Sequence, residues 1–278
     1  MGEVYEATGV TTSAPAAVKL LRRELLADPT QVARFVREAK AGGTLASPHI
    51  ARVLEASAGD DALPYIAMER LHGTSLADLL RRDGALPPAQ TVEMIGQIGA
   101  GIDAAAGAGI VHRDLKPQNL FRCDLGAGAS LWKILDFGIA TLSDDTGTLT
   151  HGGIVGTPSY MAPEQAKGER VDHRADLFAL AAVAYRCLTG RNPFTGPDTP
   201  TLLYAVVHRQ PVRPTALADL APDVDRWVAI ALAKDRDHRF DRGSALYDAL
   251  AAALRGRLEP HLRKRADALI KTHPWESA

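Results

Sequence analysis

The densest chemistry in the sequence lies in His112-Arg113-Asp114-Leu115-Lys116-Pro117-Gln118-Asn119. This turn-prone stretch holds a carboxylate, an ammonium and a carboxamide. Asp114 can accept a proton from an attacking hydroxyl. Asn119 can hold a metal ion, and Lys116 can neutralise charge on a moving phosphoryl group. A second carboxylate follows in Asp136-Phe137-Gly138, where the glycine lets the chain turn. An oriented hydroxyl, a divalent cation between phosphates and cations on the developing charge are the parts that phosphoryl transfer needs. The bland alternative is a solvated loop with incidental charges. Further signals, in order on both sides, disfavour it.

H-R-D-L-K-P-x-N followed by D-F-G resembles the catalytic core of a protein kinase. The segment Gly156-Thr157-Pro158-Ser159-Tyr160-Met161-Ala162-Pro163-Glu164 strengthens the resemblance, because it is similar to the G-T-x-x-Y-M-A-P-E of serine/threonine kinases. The resemblance runs from Gly2 to about Leu254 and is to bacterial serine/threonine kinases of the eukaryotic type. It implies an α+β, bilobal protein-kinase fold, with a small β-rich N-lobe bearing one regulatory helix and a larger, mainly helical C-lobe. The expected division is 1–70 for the N-lobe, 71–255 for the C-lobe and 256–278 for a helical tail or linker.

Several elements must position these groups. Ala16 to Leu21 reads as a strand, apolar except for Lys19. Asp28-Pro29 is a helix start, and Val32, Phe35, Val36 and Ala39 give helical spacing with Glu38 beside them. Ile50 to Ser57 and Leu63 to Glu69 read as strands joined at Gly59-Asp60-Asp61. Ser75 caps a helix running to about Arg82, and Pro87-Pro88 opens another with Val92, Ile95, Ile98, Ile102 and Ala105 on one stripe. Asp172 to Leu177 opens a helix apolar on nearly every side, which reads as buried. The charged tail after Arg255 reads as a solvated face or linker, with docking as the minority alternative.

The resemblance implies roles for particular residues. Lys19 would orient the phosphates of ATP and Glu38 would orient Lys19. Asp114 would accept the hydroxyl proton, with Lys116 as the serine/threonine-type lysine beside it. Asn119 and Asp136 would hold Mg2+ or Mn2+. Gly2, Val4, Ala17, Met68, Glu69, Leu71 and Phe121 would surround the nucleotide, with Met68 at the back of the adenine pocket. Thr157, Glu164 and Arg239 would build the substrate platform, and Asp176 would brace the catalytic loop. Thr148 and Thr150 are candidate phosphorylation sites that would pair with Arg113. Of the family's G-x-G-x-x-G-x-V only Gly2 and Val4 are present. The expectation is therefore a chain truncated inside the glycine-rich loop, the first strand missing, with a genuinely shortened kinase as the alternative.

Bulk properties narrow the classes. The formal net charge is −1 over 278 residues, so no basic field points to nucleic acid. The two cysteines, Cys123 and Cys187, lack metal-ligand spacing and fit a reducing, cytoplasmic setting. The longest apolar run, Leu177 to Leu188, contains Arg186 and is too short to cross a bilayer. The expected partners are proteins bearing serine or threonine, with a homodimer for autophosphorylation in trans left open. Two other readings stay open. One is a catalytically impaired pseudokinase or scaffold, favoured by the missing glycines. The other is a small-molecule phosphotransferase, disfavoured by the platform segment and Arg239.

Overall fold

The computed structural model describes residues 2–28, 30–33, 35, 43–57, 63–136, 141–142 and 158–276. Four antiparallel strands form the first sheet: β1 (Gly2–Thr8), β2 (Pro15–Leu21), β3 (Val53–Ser57) and β4 (Tyr65–Glu69), in the order β1-β2-β4-β3. Alternation along β2 turns Lys19 and Leu21 to the inner face, 6% and 2% exposed. Leu21, Ile66 and Phe35 make a small core there, with Leu25, Val32, Val53 and Met68 packed on it.

Strand β3 starts at Val53, later than the expected start at Ile50. Ile50 forms a parallel bridge with Ile134 instead, in strand β8 (Ser130–Ile134) of a second sheet. That sheet runs β5 (Gly73–Ser75), β7 (Leu120–Asp124), β8. Ala51 N–H donates to the Ile134 carbonyl at 2.9 Å, and Ile134 N–H donates to the His49 carbonyl at 2.8 Å. His49 Nδ1 donates to the Trp132 carbonyl at 3.1 Å. Glu69 Oε1 adds a further tie, accepting from Lys133 Nζ at 2.6 Å and from Arg52 N–H at 2.8 Å. The two sheets are thus stitched together beside the chain crossing at residues 70–72.

The larger core surrounds helices. Helix α1 (Leu76–Asp83) is capped by Ser75, whose hydroxyl accepts from Asp78 N–H. Helix α2 (Pro88–Gly107) starts on proline, then β6 (Ile110–Val111) leads to the chemistry-bearing loop and pairs with β9 (Thr141–Leu142). After the short α3 (Pro163–Ala166) comes α4 (Arg174–Thr189), in which every residue from Ala175 to Tyr185 is buried. It ends at Gly190, whose left-handed φ of 71° closes the last turn. Then follow α5 (Thr199–His208), α6 (Asp223–Ala231), α7 (Gly243–Ala253) and α8 (Pro260–Thr272).

Helices α2 and α7 touch backbone to backbone. A Cβ on Gly243 would meet the Gly99 carbonyl oxygen at 2.3 Å. The same approach lets Asp103 of α2 cap α7 from outside, accepting from Gly243 N–H at 2.7 Å and Ser244 N–H at 3.2 Å. Among the described residues no helix is long and apolar enough to cross a membrane.

The charged tail forms a helix that packs one face on the larger core, while Arg257 and Lys264 stay exposed. Ala266 of α8 is fully buried, and Arg263 Nη2 donates to Asp223 Oδ2 at 2.6 Å. Asp223 also accepts from Leu258 N–H and Arg226. Burial pushes the Asp223 carboxyl up, but Arg263, the Leu258 N–H and Arg226 outweigh it, so the group titrates below the usual carboxylate range. Its stabilising contribution is therefore present above about pH 4 and lost as pH falls through the lowered value. Arg263→Ala is expected to lower unfolding free energy by about 2 kcal/mol and to weaken the acid dependence. Urea titrations at pH 7 and at about pH 2–3 measure both effects.

Candidate active site

The loop after β6 is held mainly by side chains. Asp176, the third residue of α4, accepts from His112 N–H at 2.7 Å and from Arg113 N–H at 2.8 Å. Burial pushes its carboxyl up, against the pull of His112, the two N–H groups and Arg113. His112 Nδ1 accepts from Asp114 N–H at 3.2 Å, so its other nitrogen carries the proton and donates to the Leu135 carbonyl at 3.0 Å. Arg113 lies at φ 66° and Asp136 at φ 50°, a region L-residues rarely occupy. Each such residue costs about 1–3 kcal/mol and persists only where its surroundings over-determine it.

The three groups of the opening motif converge. Lys116 Nζ lies 2.6 Å from Asp114 Oδ2. Asn119 Nδ2 donates to the Asp114 carbonyl at 2.8 Å. The amide nitrogen is thereby committed, which leaves Asn119 Oδ1 as an oxygen ligand. Leu135 N–H donates to the Asn119 carbonyl at 2.8 Å, so Asp136 follows directly from a residue tied to Asn119. Lys19 Nζ reaches across from β2 to Asp136 Oδ1 at 3.2 Å. An amide oxygen and a carboxylate are hard donors that suit a magnesium ion keeping further ligands from water and phosphate. Among the described residues no cluster of three His, Cys, Asp or Glu offers an all-protein metal cage.

The expected nucleotide residues share one surface. Val4 lies opposite Lys19, Ala17 opposite Met68, and Ala17 and Lys19 are two apart on β2. Val4, Ala17, Lys19 and Met68 therefore stand on the same face of the sheet. A Cβ on Gly2 would meet the Leu20 carbonyl oxygen at 2.6 Å, so the close β1–β2 approach requires glycine there. Glu69 turns its carboxylate to Lys133 and Arg52, which leaves the backbone of residues 69–71 as the polar edge of the crossing. Phe121 sits in β7, opposite Ser75. Glu38, Thr148, Thr150 and Thr157 lie outside the described residues.

Behind the loop, Glu164 forms a two-pronged pair with Arg239, at 2.7 Å on both prongs. Both side chains are nearly inaccessible, at 4% and 1%. Arg239 also lies over the Phe178 ring, whose stacked neighbour Phe194 carries Lys234 Nζ at 4.1 Å. Gln165 was not singled out by its motif position, yet it joins α3 to the loop: Nε2 donates to the Arg113 carbonyl at 2.8 Å and Oε1 accepts from Ala162 N–H at 3.1 Å. Only the sequence neighbourhood of Glu164 could have drawn attention to it.

Burial, reinforced by Arg239, pushes the Lys234 ammonium down to about 7. The unfolded chain has a lysine near 10.4. Between these values the unfolded chain binds more protons, so stability rises with pH. Below pH 7 both states hold the proton and the cost of burying the charge is felt in full. Lys234→Met is expected to flatten the rise in unfolding free energy between pH 7 and pH 9, measured by denaturant titration.

Comparison with known proteins agrees with this geometry. The family model described as "Protein kinase domain" matches residues 1–270. The serine/threonine-protein kinase PknB of Mycolicibacterium smegmatis is 37% identical over 252 residues, covering 88% of this chain and 40% of PknB. The serine/threonine-protein kinase pkn3 of Myxococcus xanthus is 35% identical over 289 residues, covering 100% of this chain and 53% of pkn3. The chain thus spans about half or less of these relatives' lengths. The crystal structure of the PknI kinase domain of Mycobacterium tuberculosis superposes with a TM-score of 0.70 at 27% identity, over 91% of each chain. The chain belongs to the protein kinase domain family, in its bacterial serine/threonine branch.

Proposed function

We propose that this chain is the catalytic domain of a serine/threonine protein kinase, transferring the terminal phosphoryl group of ATP to serine or threonine hydroxyls of proteins. The observation that carries the reading is the convergence of Lys19, Asp114, Lys116, Asn119 and Asp136 from three segments: Asp114, Lys116 and Asn119 form one bonded group, Lys19 pairs with Asp136, and Leu135 N–H ties the two through the Asn119 carbonyl. Bound magnesium supplies charge neutralisation between the phosphates. Asn119 Oδ1 and the Asp136 carboxylate would hold it. Lys19 is placed on the sheet face shared with Val4, Ala17 and Met68, where it orients phosphate while those residues and Phe121 take the base. Glu69 and Leu71 offer backbone groups to its edge. By the resemblance, Glu38 would be the carboxylate that orients Lys19.

Asp114 carries the proton step. Oδ2 is engaged by Lys116, which leaves Oδ1 to take the proton of the substrate hydroxyl. Lys116 then lies within reach of the developing charge, and the rate gain comes from positioning and electrostatics. Thr157, Glu164 and Arg239 would belong to the platform that seats the substrate. The domain division at about residue 70 follows from the same reading, with the cleft between the two parts. A reducing cytoplasm, where ATP is abundant, is the matching setting; Cys123 and Cys187 are both free and buried.

Asp114→Asn removes the proton acceptor at nearly constant shape. Transfer from labelled ATP to a generic protein substrate is expected to fall by roughly 10²–10⁴-fold, with nucleotide affinity kept. Asp136→Asn should instead weaken metal-dependent nucleotide binding, read by calorimetry with and without magnesium. Wild-type transfer rates in the Asp114→Asn variant would sink the assignment. A wild-type chain that binds nucleotide and transfers nothing would favour the scaffold reading.

Activation follows from Arg113. Phosphate on Thr148 or Thr150 would bring a dianion to the guanidinium through charge-assisted, bidentate bonds. One copy phosphorylating another is the route we favour. Thr148→Ala combined with Thr150→Ala is expected to lower activity severalfold while leaving Tm unchanged. Phosphopeptide mapping after incubation with ATP and magnesium should place phosphate between residues 143 and 150; an active enzyme without it would rule the mechanism out.

A further inference from the structure

The peptide unit that joins Arg113 to Asp114 is clamped at both ends by side chains. Its oxygen accepts from Gln165 Nε2 at 2.8 Å, and its N–H donates to His112 Nδ1 at 3.2 Å. Rotation of this unit swings the Cα–Cβ bond of Asp114. The unit follows directly on a residue at φ 66°, so its orientation is one the backbone would not adopt unaided. Asp176 fixes the preceding N–H groups and Asn119 fixes the Asp114 carbonyl. Among these clamps Gln165 alone comes from the short helix α3, which also carries Glu164.

That segment is itself seated from behind. Glu164 is locked to Arg239, and Gln165 Oε1 is held by Ala162 N–H, which fixes the amide so that its nitrogen faces the loop. The amide orientation is forced, because the reverse would set two oxygens against each other.

We infer that Gln165 is a positioning residue for the proposed phosphoryl transfer: its Nε2 sets the Arg113–Asp114 peptide, and so makes the aim of the Asp114 carboxylate depend on the seating of the Glu164 segment. This rests on the kinase reading. The plainer role, capping α3 through Ala162, uses the other atom of the same side chain, so the two can be separated.

Gln165→Glu keeps an acceptor for Ala162 N–H and replaces the donor with a carboxylate oxygen facing the Arg113 carbonyl. Gln165→Ala removes both bonds. In the full chain, Gln165→Glu is expected to lower kcat about tenfold, with KM for ATP within about twofold and Tm close to wild type. Hydrogen exchange of the amides from His112 to Lys116 should quicken. In mild acid the introduced carboxyl regains a proton and a donor, so its deficit relative to wild type at the same pH should narrow. Gln165→Ala should share the kcat loss and also lower Tm. Unchanged kcat and unchanged exchange in Gln165→Glu would overturn the inference, as would a kcat loss that merely tracks a fall in Tm. If the wild-type chain transfers no phosphate, the kinase reading fails, and the exchange result alone then decides whether Gln165 holds the loop.

Discussion

A buried carboxylate accepting two successive backbone N–H groups is the constraint on which the site depends. Asp176 is 2% exposed and spends both oxygens on the chain at His112 and Arg113. An ionised group so placed is costly unless its hydrogen bonds are filled. Here they are filled by main-chain donors that no strand or helix uses. The loop therefore has one low-energy shape, set by a residue of the most deeply buried helix. The left-handed turn at Arg113 is tolerated because its neighbours are fixed first.

The same logic recurs one layer out. Glu164 and Arg239 are both inaccessible, and such a pair contributes less through attraction than it would cost to break. Removing either partner leaves an uncompensated charge, of order 3–5 kcal/mol. The pair thus specifies where the α3 segment sits. The Phe178 ring lies against Arg239 and stacks on Phe194, whose ring carries Lys234, which donates to the Val206 carbonyl of α5. Charge, aromatic faces and backbone carbonyls form one continuous block beneath the loop.

The reach of sequence reasoning followed from the range of each interaction. The loop motif, the Ser75 cap, the proline start of α2, the glycine stop of α4 and the apolar α4 itself are local signals, and each could be read in place. The α+β, bilobal architecture followed from the motif order. Asp103 capping α7 could not be read, because the cap and the helix lie 140 positions apart. Glu69 with Lys133 and Gln165 with Arg113 were equally silent, since nothing in their own neighbourhoods names the partner. Ile50 shows the opposite failure: it is expected to start the strand that ends at Ser57, but its pairing goes to Ile134 in the other sheet. The tail read as solvated because its basic residues dominate the composition, whereas Arg263 spends its charge on buried Asp223.

The seam between residues 49–51 and β8 has a mechanical consequence. Its backbone bonds fix the small sheet to the larger part at the border close to β3, with the Lys19–Asp136 side-chain pair as a tie farther out. The strand order β1-β2-β4-β3 then puts β1 at the far end of the arm. Any rocking of the sheet about that seam displaces Val4 most, Lys19 less and Met68 least. The Met68 end of the sheet is the quiet end of this lever and the Val4 end is the travelling end. A small tilt is thus converted into a wide displacement at β1, while the loop that carries Asn119 stays still.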